Sequence, residues 1–182
     1  NESCAMVYTA YDDNYVYFYV KVWDDELVAY DTAVHPDSSF ADSLEIWFDP
    51  DPYTAVNGEF FNNTMDANQG DIQLRFIPNG MMFHDYHNKV KPGYGSTVFG
   101  SWITNPSNFK TFTFSDELRI LKNKGGQEFA VSSGYGVEAR FPRIPGDDSD
   151  MYQFNIVANN SSTDDNTRYS LAIGPNWWTD YD

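Results

Sequence analysis

A single cysteine, Cys4, stands among the 182 residues, so this chain builds neither an internal disulfide framework nor a cysteine-based zinc site. Basic residues are scarce as well: 11 Lys plus Arg face 27 Asp plus Glu, a formal net charge of -16 at pH 7. Phosphate backbones and anionic lipid surfaces repel such a chain, which sets nucleic-acid and membrane partners aside first. No run of about 18 apolar residues offers a membrane-spanning helix, and no basic segment followed by an apolar one opens the sequence as an export signal does. Neither G-x-S-x-G nor H-E-x-x-H occurs, so two common hydrolase signatures are missing. Internal repeats, low-complexity tracts and linker-like shifts in composition are also absent, and residues 1–182 are read as one domain.

Aromatic residues are plentiful: Phe 14, Tyr 13 and Trp 5 make up 18% of the chain, far more than a disordered chain carries. Their spacing has a period of two. In residues 15 to 23, Val16, Phe18, Val20 and Val22 alternate with Tyr15, Tyr17, Tyr19 and Lys21, the pattern of a strand with one face on a core. Asp12-Asp13-Asn14 predicts a hairpin turn back to a strand over residues 6–11. Further strands are expected over residues 43–49, 71–77, 81–84, 109–114, 128–131, 137–141, 152–158 and 169–174. Pro78-Asn79-Gly80, Gly134-Tyr135-Gly136 and Pro145-Gly146-Asp147 are read as turns between them, and at most a short helical turn is expected over 116–121. The fold class is all-β: a jelly-roll-like sandwich of two antiparallel sheets with nine or ten strands. The long connections 24–42 and 50–70 are candidates for functional loops.

The outward residues of two strands carry chemistry. With Leu44, Ile46 and Phe48 inward, Glu45 and Trp47 share the other face. With Ile72, Leu74 and Phe76 inward, Gln73 and Arg75 do the same. On adjacent strands a carboxylate, an amide and a guanidinium form a hydrogen-bonding surface suited to vicinal hydroxyls; the plainer alternative is a cross-strand ion pair on a solvated sheet. Phe40, just before the Glu45 strand, and Trp177 and Trp178, after Gly174-Pro175-Asn176, are loop aromatics able to cover the apolar face of a pyranose. Asp147, Asp148 and Asp150 beside Gly146 have oxygens spaced for a structural calcium ion, and Asp24-Asp25-Glu26 is a second acidic run. Glu45 and Glu138 are the carboxylates a glycoside hydrolase would pair. Met65, Met81, Met82 and His84 admit a haem alternative. An adhesion sandwich without a small ligand is the remaining class.

Three blocks resemble a known family. Residues 12 to 27, beginning Asp12-Asp13-Asn14-Tyr15-Val16-Tyr17-Phe18, are similar to the opening D-x-x-x-L-Y block of family 9 carbohydrate-binding modules. Asp42-Ser43-Leu44-Glu45-Ile46-Trp47-Phe48-Asp49 is similar to their D-S-V-E-I block, and Gly134-Tyr135-Gly136-Val137-Glu138 to their G-Y-x-I/V-E block. The resemblance covers roughly residues 5 to 178 and implies a non-catalytic β-sandwich of the wider superfamily that includes haem-carrying DOMON-type domains. It implies binding of a plant-wall xylan or glucan, at its reducing end, between two stacked rings. By position it places the first ring on Phe40, where the family carries Trp, the carboxylate on Glu45, polar contacts on Gln73 and Arg75, and the second ring on Trp177 or Trp178. The family's usual entry and final strand motifs are not found, as in a chain trimmed at both ends or in a divergent relative. No cofactor is required, structural calcium is admitted, and the implied partners are a polysaccharide and a glycoside hydrolase of the same or another chain. A secreted or cell-surface location follows from that role.

Overall fold

The computed structural model describes residues 3–29, 41–49, 72–78, 82–83, 105–122, 125–143, 153–161 and 168–173. Eleven strands are found among them: β1 (Ser3–Tyr11), β2 (Tyr15–Asp24), β3 (Ser43–Asp49), β4 (Ile72–Phe76), β5 (Met82–Phe83), β6 (Phe109–Phe114), β7 (Arg119–Lys122), β8 (Glu128–Val131), β9 (Gly134–Pro142), β10 (Gln153–Ser161) and β11 (Arg168–Ile173). They form a four-stranded sheet in the order β1-β2-β9-β6, a five-stranded sheet in the order β11-β10-β3-β4-β5, and a small hairpin β7-β8. Every pairing is antiparallel.

The period of two places the core. Val16, Phe18, Val20 and Val22 of β2 and Tyr135, Val137, Ala139 and Phe141 of β9 meet Leu44, Ile46 and Phe48 of β3, Leu74 and Phe76 of β4, and Ile156 and Ala158 of β10. Phe18 is its hub, with Phe48, Phe141 and Phe154 all edge-on to its ring at 6.0, 5.3 and 5.1 Å. Edge-to-face geometry sets the positive rim of one ring against the negative face of the next. The β1-β2 turn forms where expected: Asp12 Oδ1 accepts from the backbone N–H groups of Asn14 and Tyr15 at 2.7 and 2.8 Å, which is how an Asx residue replaces a backbone turn bond.

Two expectations are corrected. Residues 119–122 form a strand, because Leu121 packs with Val131 against Trp23 in a small second core. Gly134-Tyr135-Gly136 is the start of β9; glycine is there for close approach. A Cβ on Gly136 would lie 2.4 Å from Phe112 Cζ and 2.6 Å from the Val20 carbonyl oxygen, and one on Gly134 would lie 2.0 Å from the Val22 carbonyl oxygen. The Phe112 and Phe114 rings on β6 therefore reach over the strand that glycine leaves bare.

Candidate functional site

The face of the second sheet turned away from the core is built by register. Glu45 of β3 lies opposite Arg75 of β4, and Trp47 opposite Gln73. On its other side β3 places Ser43 opposite Asn159, Glu45 opposite Val157 and Trp47 opposite Asn155 of β10, and β10 places Asn159 opposite Ser170 of β11. Cross-strand partners share a face, so the polar residues expected side by side do adjoin.

Glu45 is the hub. Arg75 donates to its Oε1 from Nε at 3.1 Å and from Nη2 at 2.8 Å, Asn159 Nδ2 donates to the same oxygen at 2.9 Å, and Trp47 Nε1 donates to Oε2 at 3.3 Å. Asn159 also donates to Ser43 Oγ at 3.1 Å and accepts from Ser170 Oγ at 2.7 Å, extending the network over four strands. The setting corrects the solvated ion pair of the sequence reading: Glu45 is 2% exposed, Arg75 6%, and Trp47, Asn155 and Asn159 are buried as well. Two ions leave water at a cost that only good geometry and further hydrogen bonds offset, which is what three donors on one carboxylate oxygen provide. Asn159 and its neighbour Asn160, glycosylation sequons in the sequence, are both buried.

Asn155 and Ser170 were not singled out in the sequence, and Asn159 only as a sequon. The available signal was period two: Asn155 and Asn159, with Val157 between them, fall on the face of β10 opposite Ile156 and Ala158. Of the other candidates, Phe40, Trp177, Trp178, Asp147, Asp148 and Asp150 lie outside the described residues, as do Met65, Met81 and His84. Gln73 is placed by its backbone alone.

A second buried polar group sits at one end of the sandwich. Asp42 accepts from the backbone N–H of Val28 at 2.5 Å and of Ser161 at 2.7 Å, and Asp24 accepts from that of Glu26 at 3.2 Å. Burial, with Asp42 nearby, pushes Asp24 up to about 8, and burial pushes Asp42 up to about 6. Burial also raises the Tyr135 hydroxyl well above its ordinary range. Asp24 Oδ2 and the Tyr135 hydroxyl have no hydrogen-bond partner among the described residues. Among the described residues, the acidic run 24–26 included, no three carboxylate, imidazole or thiol residues gather as metal ligands.

Topology also bears on catalysis. Glu138 alternates with core residues Val137 and Ala139 on the first sheet and is exposed. Glu45 alternates with core residues Leu44 and Ile46 on the second. The two carboxylates point to opposite sides of a sandwich whose sheets pack about 10 Å apart, beyond the roughly 5–9.5 Å span that glycoside hydrolysis uses.

No protein-family profile and no curated protein sequence matches the chain. Among solved structures it is similar to a family 9 carbohydrate-binding module from Caldicellulosiruptor kristjanssonii in complex with cellotriose, with 18% identity, a TM-score of 0.54, and coverage of 93% of this chain and 64% of the other. The same module in complex with glucose matches at 18% identity and a TM-score of 0.55, over 93% of this chain and 65% of the other. The chain thus spans just under two thirds of those structures. An all-β sandwich with the family 9 carbohydrate-binding fold is the architecture that the strand order and the comparison together establish.

Proposed function

We propose that this chain is a non-catalytic sugar-binding module that takes a neutral β-glucan or xylan chain at the Glu45 face. The observation that carries the reading is the Glu45–Arg75–Asn159–Trp47 network: a fixed, hydrogen-bonded polar patch on a sheet face of a fold whose similar structures are complexes with glucose and cellotriose. Buried polar networks that are fully satisfied rigidify the surface around them, and rigid polar groups are what orient a hydroxyl-rich ligand at low entropic cost. In this reading Gln73 adds an amide, and Phe40 with Trp177 or Trp178 supply the two stacking faces of a clamp. A clamp that closes on both faces of one pyranose suits a chain end, and we place the reducing end there. The opposed placement of Glu45 and Glu138 supports a binding role over hydrolysis.

In the same reading the module is a secreted or cell-surface part of a larger protein, and it concentrates an attached or partner glycoside hydrolase on its substrate. Asp147, Asp148 and Asp150 would hold a structural calcium ion. Calorimetric titration with glucose, cellotriose and borohydride-reduced cellotriose tests the central claim. Affinity on the order of 10⁻⁵ to 10⁻³ M for cellotriose, lost in Phe40→Ala and in one of Trp177→Ala and Trp178→Ala, is expected. Undiminished binding in all three folded variants refutes the clamp, and undiminished binding of the reduced sugar refutes the reducing-end assignment.

A further inference from the structure

The outer face of the first sheet, on the opposite side of the sandwich, carries a row of rings. Tyr8 of β1 pairs with Tyr19 of β2, and Ala10 with Tyr17. Tyr19 pairs with Glu138 of β9, and Tyr17 with Arg140; Lys110 of β6 pairs with Glu138. Tyr8 and Tyr19 have ring centroids 6.1 Å apart. Phe112, lying over Gly136, stacks on Tyr19 at 5.8 Å with an interplanar angle of 20°. Beside the row is an open concavity of about 380 Å³, lined by Tyr8, Tyr17, Tyr19, Lys110, Glu138 and Arg140 among others.

Its walls are held in place. The Tyr17 hydroxyl donates to Asp12 Oδ2 at 2.6 Å and that of Tyr8 to Met6 Sδ at 2.8 Å. Arg140 Nε donates to the buried Asn108 Oδ1 at 2.9 Å, and its guanidinium lies 4.7 Å from the Tyr15 ring centroid. A sheet face whose only task is to meet water has no need of fixed tyrosines; Tyr8 is nonetheless 55% exposed. Flat rings at fixed positions, edged by an amine, a carboxylate and a guanidinium, combine apolar stacking faces with donors and acceptors for hydroxyl groups. The groove's own charges nearly cancel, while the chain's net charge of -16 repels polyanions. Four strands at about 4.8 Å spacing make the row roughly 14 Å long, the scale of a short oligosaccharide and not of one sugar ring.

We propose that this tyrosine groove is a second glycan-binding surface, which takes the middle of a neutral polysaccharide chain along β1-β2-β9-β6. It does not depend on the Glu45 face, and each can fail alone. The test is affinity electrophoresis in gels containing hydroxyethylcellulose or soluble xylan, alongside calorimetry with glucose and cellotriose. The variants are Ala10→Glu, which fills and charges the groove from an exposed position without removing a packing group, the pair Tyr8→Ala/Tyr19→Ala, and Glu45→Gln. Groove variants are expected to retain the melting profile and the small-sugar affinity while losing at least tenfold in polymer affinity; Glu45→Gln is expected to do the reverse. Polymer retardation that Ala10→Glu and the tyrosine pair leave unchanged overturns the groove while leaving the Glu45 face standing. Loss of small-sugar binding in no variant overturns the Glu45 face alone. A wild-type protein that no polymer retards, or a groove that binds a polyproline peptide in place of a polysaccharide, overturns the second surface.

Discussion

The Glu45–Arg75 pair yields the sharpest stability prediction. Its side chains are 2% and 7% exposed, so Arg75→Ala removes two charge-assisted hydrogen bonds from Glu45 Oε1 and leaves a carboxylate buried, with Asn159 and Trp47 among its donors. Breaking a buried pair in this way costs about 3–5 kcal/mol, against about 0–1 kcal/mol for an exposed pair. In a domain of this length each kcal/mol moves the melting temperature by about 2–4 °C, so Arg75→Ala should melt roughly 6–20 °C below the wild type. Glu45→Gln, which keeps the shape and removes the charge that the buried guanidinium faces, should fall in the same range. The double variant Glu45→Leu/Arg75→Met should recover most of the loss, because apolar groups of similar volume replace a buried pair at little cost. Urea unfolding of the four proteins measures each of these differences. A loss under about 1 kcal/mol in both single variants refutes the account, since the pair would then behave as a solvated one. The same numbers govern binding experiments: sugar affinity of these variants is comparable with the wild type only at temperatures where all remain folded.

Asp24 and Asp42 make stability depend on pH. Their native pKa values of about 8 and about 6 lie above the ordinary 3.8, so the native state binds more protons than the unfolded one between about pH 4 and pH 8, and stability falls as pH rises through that window. Asp24→Asn should therefore stabilise the protein at pH 8.5 and be near neutral at pH 4; an equal shift at both pH values refutes this. Gly136→Ala drives a methyl into the Val20 carbonyl and the Phe112 ring and should cost about 1–3 kcal/mol in urea unfolding, whereas Gly126→Ala, with nothing within 4 Å of the new atom, meets only the strain of its φ of 80°. If Asp147, Asp148 and Asp150 hold calcium, chelation should lower the melting temperature of the wild type and leave an Asp147→Ala/Asp148→Ala variant unchanged; equal responses refute the assignment.

The alternation of β2, β3 and β4 was legible because each of these strands has an unbroken run of inward apolar residues, and it put Arg75 among the residues able to adjoin Glu45. Burial of the Glu45 face was not legible, because polar residues at every other position read as solvated until the cross-strand network is seen to satisfy them. β7 was missed because Arg119-Ile120-Leu121-Lys122 has one buried residue, Leu121, and takes its strand form from contact with Trp23 at a distance in sequence. Gly134 and Gly136 signal a turn in isolation; only the rings of Phe112 and Phe114 on the neighbouring strand give them a reason to be extended. Asp42 belonged to the block that resembles the carbohydrate-binding family, but nothing local announced that it would lie buried near Asp24.

The strand order has a consequence for how the chain comes to be folded. β2 pairs with β9 and β3 with β10, and the Ser43–Asn159 contact joins residues 116 apart in sequence. Both central pairings thus close long loops, whose ordering entropy is lost before the contacts return anything, so folding belongs to the slow, milliseconds-to-seconds class of β topologies. The pairs of consecutive strands β1-β2, β4-β5, β7-β8 and β10-β11 are local enough to form early. During synthesis β2 and β3 must each wait, with one edge open, for more than a hundred residues to follow before β9 and β10 arrive. The acidic character of the chain keeps such waiting strands apart through like-charge repulsion, a role for its net charge that the finished sandwich no longer displays.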